Sequence, residues 1–447
     1  MKFAIYRFAP AAAGMILLIA CAKEAPRLPT PAPRPHVLLI SLDACRADHL
    51  SAYGYARNTS PFLKELAARG TLFKNAFCNT HGTTPSHATM LSSLYQETHR
   101  IEYRAVEGDG GQEAVPTRVV LLPEVLKANG YVTLGVNDGG QMARAYGFDR
   151  GFVEFDDAGG GIESGSAKLL EKIRRNLASD GPIFAFLHTY SVHSPYLPPE
   201  PYRTMFGDFP HAIQITSEAL FPIANTAWRD LKPGDLDFLK TQYDGGIRFA
   251  DDVLRRLFDA LKAAGFLERA VVAVTADHGE EFVEHGGLLH RNHLYEELLK
   301  IPLILTGPGV PAGKVEEKLA SLVDLAPTLL ARAGIEPKVR MEGSDLLDPA
   351  FRGDTLFAQY GNLRYVLRTR QWKYILTTKP EGEELYDLNA DPGEKTNLAQ
   401  KEPDKARRYR KALEEWRNTR PDLGAASAKV ALTPESEKQL RALGYIQ

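Results

Sequence analysis

Short apolar runs that end on polar residues recur along the chain. The first is His36-Val37-Leu38-Leu39-Ile40-Ser41-Leu42, which stops at Asp43. A run of this length with little polar alternation predicts a strand buried on both faces. Residues 183–187 form a second such run and lead into His188-Thr189-Tyr190-Ser191-Val192-His193. Residues 270–274 form a third and lead into Thr275-Ala276-Asp277-His278-Gly279. Residues 71–77, 132–136 and 303–305 read as further strands. Apolar positions at helical spacing predict helices between them: from a Ser60 cap to Gly70, then 121–128, 247–261 and 323–333. Residues 157–161 and the proline-rich 197–235 read as loops. This alternation predicts an α/β protein with a parallel or mixed sheet covered on both faces. Asp43, His188, His193, Asp277 and His278 then gather at the carboxyl ends of the strands, where open sheets form their ligand sites.

The pattern changes after about residue 336. Residues 365–368 and 372–376 read as antiparallel strands, Leu385-Tyr386-Asp387-Leu388 follows, and 405–416 is a charged helix. A smaller C-terminal α+β subdomain, 336–447, is therefore expected beside a catalytic domain, 36–335.

Thr83-Thr84-Pro85-Ser86-His87 precedes apolar residues Ala88, Met90, Leu91 and Leu94. Thr83 is placed as a helix N-cap, with Pro85 inside the first turn. A hydroxyl there lies in the positive end of the helix dipole, a field that favours an alkoxide and a docking anion. The same pattern also suits an ordinary capped helix. Asp43, Asp277 and His278, with the Thr83 oxygen as a fourth ligand, would hold one divalent cation. Mixed oxygen and nitrogen donors suit zinc or manganese better than calcium or magnesium. Such an ion would lower the pKa of the Thr83 hydroxyl and present it as a nucleophile.

Composition narrows the setting. The chain has 447 residues, 44% of them hydrophobic and 25% charged, with a formal net charge of -2, which gives no reason to expect a nucleic-acid partner. Lys2 and Arg7 precede an apolar stretch, 11–20, too short for a comfortable membrane span. It ends Leu18-Ile19-Ala20-Cys21, which resembles the bacterial lipobox. That reading makes 1–20 a signal peptide, Cys21 the lipidated residue and the Pro-rich 21–35 a tether. The protein would then be a bacterial membrane lipoprotein on the periplasmic face. A plain secretory signal and a retained N-terminal anchor are the other readings. Cys45 and Cys78 are either a disulfide or two buried thiols.

Ordered motifs run through the rest of the chain. They include residues 38–50 around Asp43, Tyr53-Gly54-Tyr55, the Thr83–His87 pentapeptide, His193-Ser194-Pro195-Tyr196 and Asp277-His278-Gly279-Glu280. Glu284-His285-Gly286, Leu294-Tyr295-Glu296-Glu297, Pro302-Leu303-Ile304, Val323-Asp324-Leu325-Ala326-Pro327-Thr328 and Trp372-Lys373-Tyr374 follow. From residue 36 onward the chain resembles the sulfatase family of the alkaline phosphatase superfamily. The resemblance implies an alkaline-phosphatase-like α/β/α sandwich and hydrolysis of small anionic sulfate or phosphate-type esters, including those on glycans or lipids. It implies Asp43, Asp277 and His278 as metal ligands and Thr83 as nucleophile and ligand. His193 matches a residue that contacts the transferred group or assists the leaving group. Arg291 aligns with an anion-contacting lysine, and His87, His188 and His293 are further substrate-binding candidates. With His193 and His290, His188 and His293 are also candidates for a second metal.

The departures from the family pattern carry as much information. Sulfatases have Cys or Ser where Thr83 stands and convert it to formylglycine. Threonine carries a methyl on Cβ, so oxidation would give a ketone, and formylglycine is not expected. Ala44 stands where a second acidic residue is common, and His87 where an arginine is. The favoured substrate is a phosphodiester or phosphonate ester. A sulfuric ester hydrolase, a phosphotransferase acting on a lipid or glycan and an inactive binding protein are the alternatives.

Overall fold

The computed structural model describes residues 33–101, 113–179, 181–224, 228–291, 293–421, 423, 430 and 432–443, besides Met1 and Ala4. Cys21, nearly all of the expected signal peptide and most of the tether lie outside the described residues. Arg34–Gln447 is one compact unit, separate from Met1–Pro33. Among the described residues no helix is long and apolar enough to cross a membrane.

The expected α/β sheet is present. Its strands are β1 (His36–Leu42), β2 (Thr71–Phe77), β3 (Val132–Val136), β4 (Glu154–Asp156), β5 (Ile183–Thr189), β6 (Ala270–Thr275), β7 (Leu303–Thr306) and β8 (Lys314–Ser321). They lie in the order β8-β2-β7-β6-β1-β5-β3-β4, with a short Lys300–Ile301 strand on β2. The sheet is mixed: β7 runs antiparallel to both of its neighbours, and the other ladders along this path are parallel. Every residue of β1, β5 and β6 is buried, as continuous apolar runs in a sheet covered on both faces require.

Helices α1 (Pro61–Ala68), α2 (Thr83–Ser92), α3 (Leu122–Ala128), α4 (Gly161–Asn176), α5 (Asp235–Ala263) and α6 (Leu325–Arg332) belong to this body. Ser60 occupies the N-cap of α1, but its side chain does not cap the helix. The Asp251 carboxylate on α5 does so instead, accepting from the Phe62 and Leu63 N–H groups at 2.8 Å each. Thr83 is also one position from its expected place: Gly82 is the N-cap and Thr83 the first helical residue. Cys45 and Cys78 are two buried free thiols, so the disulfide alternative falls away.

The C-terminal strands β9 (Thr355–Tyr360), β10 (Arg364–Thr369), β11 (Trp372–Thr378) and β12 (Glu381–Asp387) form an antiparallel sheet in chain order. Helix α7 (Pro403–Asn418) covers one face, burying Ala406, Tyr409, Leu413 and Trp416 against Tyr365, Leu367, Tyr374, Leu376 and Leu385. Each large apolar side chain so buried contributes about 1.5–3 kcal/mol. Helix α8 (Pro434–Ala442) ends the described chain and buries Leu440 against Tyr190.

Candidate active site

Strand register brings the acidic residues together. Ser41 on β1 pairs with Thr275 on β6, in parallel. Two residues on, the strands therefore deliver Asp43 and Asp277 at the same level. Ser41 also pairs with His188 on β5 across the other edge of β1. After Asp43 the chain turns sharply at Ala44, whose φ of 58° is unusual for a residue other than glycine. The turn points the Ala44 N–H at Asp277 Oδ1, 3.1 Å away. After His278 the chain passes the backbone of the 297 region so closely that a Cβ on Gly279 would lie 1.9 Å from the Glu297 carbonyl oxygen.

Asp43, Asp277 and His278 are fully buried, and one ligand atom from each lies within 4.8 Å of the others. His278 donates Nδ1–H to the Gly279 carbonyl at 2.8 Å, which leaves Nε2 as the coordinating nitrogen. That Nε2 is 3.5 Å from Asp277 Oδ2 and 3.9 Å from Asp43 Oδ1. These same three atoms are buried without a hydrogen-bond partner. Orphaned buried acceptors aimed at one point are what a divalent cation would satisfy, so the donor set fits a metal.

Electrostatics support the same reading. Burial and the Asp277 charge push the Asp43 carboxyl well up. Burial opposes ionisation of Asp277 too, but His278 beside it outweighs that and holds its carboxyl below the usual range. His278 is raised, because the two carboxylates overcome its own desolvation.

Thr83 Oγ1 lies 3.3 Å from Asp43 Oδ2, at the start of a helix whose ten residues are all buried. Ser86 Oγ donates to the Asp277 carbonyl at 2.6 Å and locks that helix to the end of β6. His188 donates Nε2–H to Asp43 Oδ2 at 3.0 Å. His87 donates Nδ1–H to the Thr83 carbonyl at 2.9 Å, and its Nε2 accepts from Ser41 Oγ at 3.0 Å. Burial depresses His87 to about 3 and His188 to about 4, so both rings are neutral.

His193 and His290 stand beside this cluster. Their rings are 5.0 Å apart, and His290 is 4.4 Å from the His278 ring. Burial lowers His193 to about 3, and its Nδ1 bonds the Ser194 carbonyl. His290 Nδ1 bonds Glu280 at 2.9 Å, and Tyr196 OH donates to the other oxygen of that carboxyl at 3.0 Å. His293 lies further out, its Nδ1 accepting from Arg364 on β10 at 3.1 Å. Arg291 is partly exposed between them in sequence.

Several neighbours of the site gave no signal in the sequence. Tyr360, at the end of β9, stacks on His81 at 4.6 Å. Tyr190 packs edge-on against His188 at 4.7 Å, and Gln141 touches Thr84. Each comes from a separate turn or sheet, so only tertiary folding brings it near Thr83.

The sulfatase family model, described as "Sulfatase", matches residues 35–335, about two thirds of the chain. The chain belongs to the sulfatase family. A second model, the C-terminal region of N-sulphoglucosamine sulphohydrolase, matches residues 283–419. Among relatives of this sulfatase-family chain, arylsulfatase K of Gallus gallus is 25% identical over 477 residues, covering 90% of this chain and 85% of the relative. The phosphonate monoester hydrolase of Agrobacterium radiobacter superposes with a TM-score of 0.69 at 23% identity, covering 86% of this chain and 96% of the other. A structure in complex with its substrate D-glucosamine-2-N,6-O-disulfate gives 0.69 at 19% identity, covering 88% and 100%. The fold is therefore that of alkaline-phosphatase-like sulfatases, and the chain is an ester hydrolase of that family. The family uses a divalent metal, which the buried Asp43, Asp277 and His278 fit.

Proposed function

We propose that this sulfatase-family hydrolase cleaves a phosphodiester or phosphonate ester through Thr83, without formylglycine. The observation that carries this reading is the Thr83 hydroxyl, 3.3 Å from Asp43 at a buried helix start. A divalent cation, zinc or manganese by the donor set, would be held by Asp43, Asp277, His278 and Thr83, lowering the hydroxyl pKa and screening the ester's charge.

The Thr83 hydroxyl gives its proton to solvent and its Oγ attacks phosphorus in line; the new P–O bond forms, the bond to the leaving oxygen breaks with its electron pair, and that oxygen takes a proton from solvent to depart as the alcohol. Water then attacks the phosphothreonine and frees Thr83. The start of α2 stabilises the equatorial oxygens electrostatically. His193 contacts the transferred group. His188 and His87 act beneath it, holding Asp43 and Thr83 by the bonds described above. Arg291 and His293 face substrate at the outer side.

Brief exposure to a bis-aryl phosphate, followed by mass spectrometry of the Thr83 peptide, is expected to show a phosphoryl adduct. Thr83→Ala is expected to lose the adduct and at least ~10³-fold in turnover, the scale of losing a nucleophile. The second reading is sulfuric ester hydrolysis, favoured by the arylsulfatase K relative. Preference for an aryl sulfate, abolished in Thr83→Ala, would establish it. For location, the Leu18-Ile19-Ala20-Cys21 motif supports a lipid-anchored protein on the periplasmic face. Cys21→Ser is expected to move it from the membrane to the soluble fraction.

A further inference from the structure

The turn after β3 approaches the first turn of α2. Gln141 lies on it and is 2% exposed. Its Oε1 is 3.4 Å from the Thr84 N–H and 3.4 Å from Thr84 Oγ1. The single Thr84 hydroxyl hydrogen goes to the nearer Gln141 backbone carbonyl, so the amide oxygen is weakly held by the Thr84 N–H alone, at the long limit for a hydrogen bond. That helix-start donor sits one residue from the proposed nucleophile. Among the described residues, nothing accepts from the Gln141 amide nitrogen.

The backbone beneath this side chain is firmly held. Gln141 N donates to Tyr190 OH at 3.1 Å, and Thr84 Oγ1 donates to the Gln141 carbonyl at 3.1 Å. Gly139 and Gly140 make the turn, with φ of 74° and 57°. A Cβ on Gly139 would meet Gln439 Oε1 at 2.3 Å, and one on Gly140 would meet Leu443 Cδ1 at 2.8 Å. A rigid backbone carrying a loosely bonded amide fits a side chain that changes partner when a ligand arrives.

We propose that Gln141 is a substrate-contacting residue whose amide oxygen holds the place of an oxygen of the transferred oxyanion. When the ester binds, its anionic oxygen takes the Thr84 N–H in a shorter, charge-assisted bond. The Gln141 amide turns and donates an N–H to that same oxygen. A neutral amide adds a donor without adding charge, which suits esters carrying a single negative charge on the transferred group. This places Gln141 in the same pocket as the Thr83 reading, on which it rests.

The test uses tungstate, a tetrahedral oxyanion, with the full chain loaded with manganese. In Gln141→Leu, tungstate is expected to bind about tenfold more weakly, with a parallel fall in kcat/KM, while metal content and unfolding midpoint stay at wild-type values. The isosteric Gln141→Glu replaces the donor by a second acceptor and is expected to lose still more; it keeps the test decisive if the leucine variant does not fold. Wild-type tungstate affinity in either folded variant overturns the proposal. So does a loss that merely tracks lost metal. Thr83→Ala separates the two assignments. It is expected to lose turnover through the missing nucleophile, whereas retained turnover there would overturn the nucleophile and leave the tungstate result at Gln141 standing.

Discussion

Asp43 and Asp277 bring two buried carboxylates to one imidazole, a costly arrangement unless a cation compensates it. The metal-free protein carries that cost, which Asp43→Asn is expected to relieve. The asparagine oxygen can still accept from His188 Nε2 and Thr83 Oγ1, and its NH₂ group can donate to the orphaned Asp277 Oδ2 or His278 Nε2. In chelator, thermal unfolding is expected to show Asp43→Asn more stable than wild type by about 1–3 kcal/mol. With manganese or zinc the order reverses, because wild type gains binding energy that the variant loses. An unchanged midpoint on adding metal to wild type would count against the metal site. These three residues were legible in the sequence because an apolar run ending on a polar residue marks a strand end. Gln141 was not, because nothing local distinguishes a turn glutamine that touches Thr84 from one that faces solvent.

At the scale of elements, the strongest periodic signals matched the observed structure, and polar edges hid the rest. The helix expected at 247–261 extends over Asp235–Ala263, because its first turns bury Phe238, Leu239 and Tyr243 around polar residues that blur the period. The Lys314–Ser321 strand is exposed or half-buried over its first five residues and was missed. Helix α4 begins Gly-Ile-Glu-Ser-Gly, a start that reads as loop. Helix α8 docks on the body through Leu440, and its place has a consequence for activity. Leu440 is fully buried against Tyr190, whose OH accepts from Gln141 N. Leu440→Ala removes about 2–5 kcal/mol of packing, most of it local to a terminal helix. Amide exchange in residues 139–143 is expected to accelerate and kcat/KM to fall several-fold, with exchange in β1 unchanged. Equal protection of 139–143 in variant and wild type would detach α8 from the site.

The whole molecule is tied together where the C-terminal sheet meets the catalytic body. Asn79, in the loop leading to Thr83, donates to the Phe357 carbonyl at 2.7 Å and accepts from Gln359 N at 2.8 Å. The sequence showed the sheet's strands but not this seam, since its partners lie nearly three hundred residues apart. Glu296 is the ionic part of the seam. Arg368 on β10 grips it through two bonds of 3.1 and 3.0 Å, and Lys373 on β11 lies 3.4 Å away. Burial disfavours the Glu296 charge, but Arg368 and Lys373 outweigh it and hold the carboxyl at about 2, below its ordinary value of 4.5. A group depressed on folding stabilises the protein above its unfolded pKa, and that stability drains away as pH falls toward the folded value. Denaturant midpoints are therefore expected to fall as pH drops below 4.5 toward 2, with about 3 kcal/mol at stake for this group. Glu296→Gln is expected to be less stable at pH 7 and to lose less on acidification over that window, so the two curves converge. Parallel curves would mean that Glu296 contributes nothing measurable and leave the Asn79 bonds as the seam's hold.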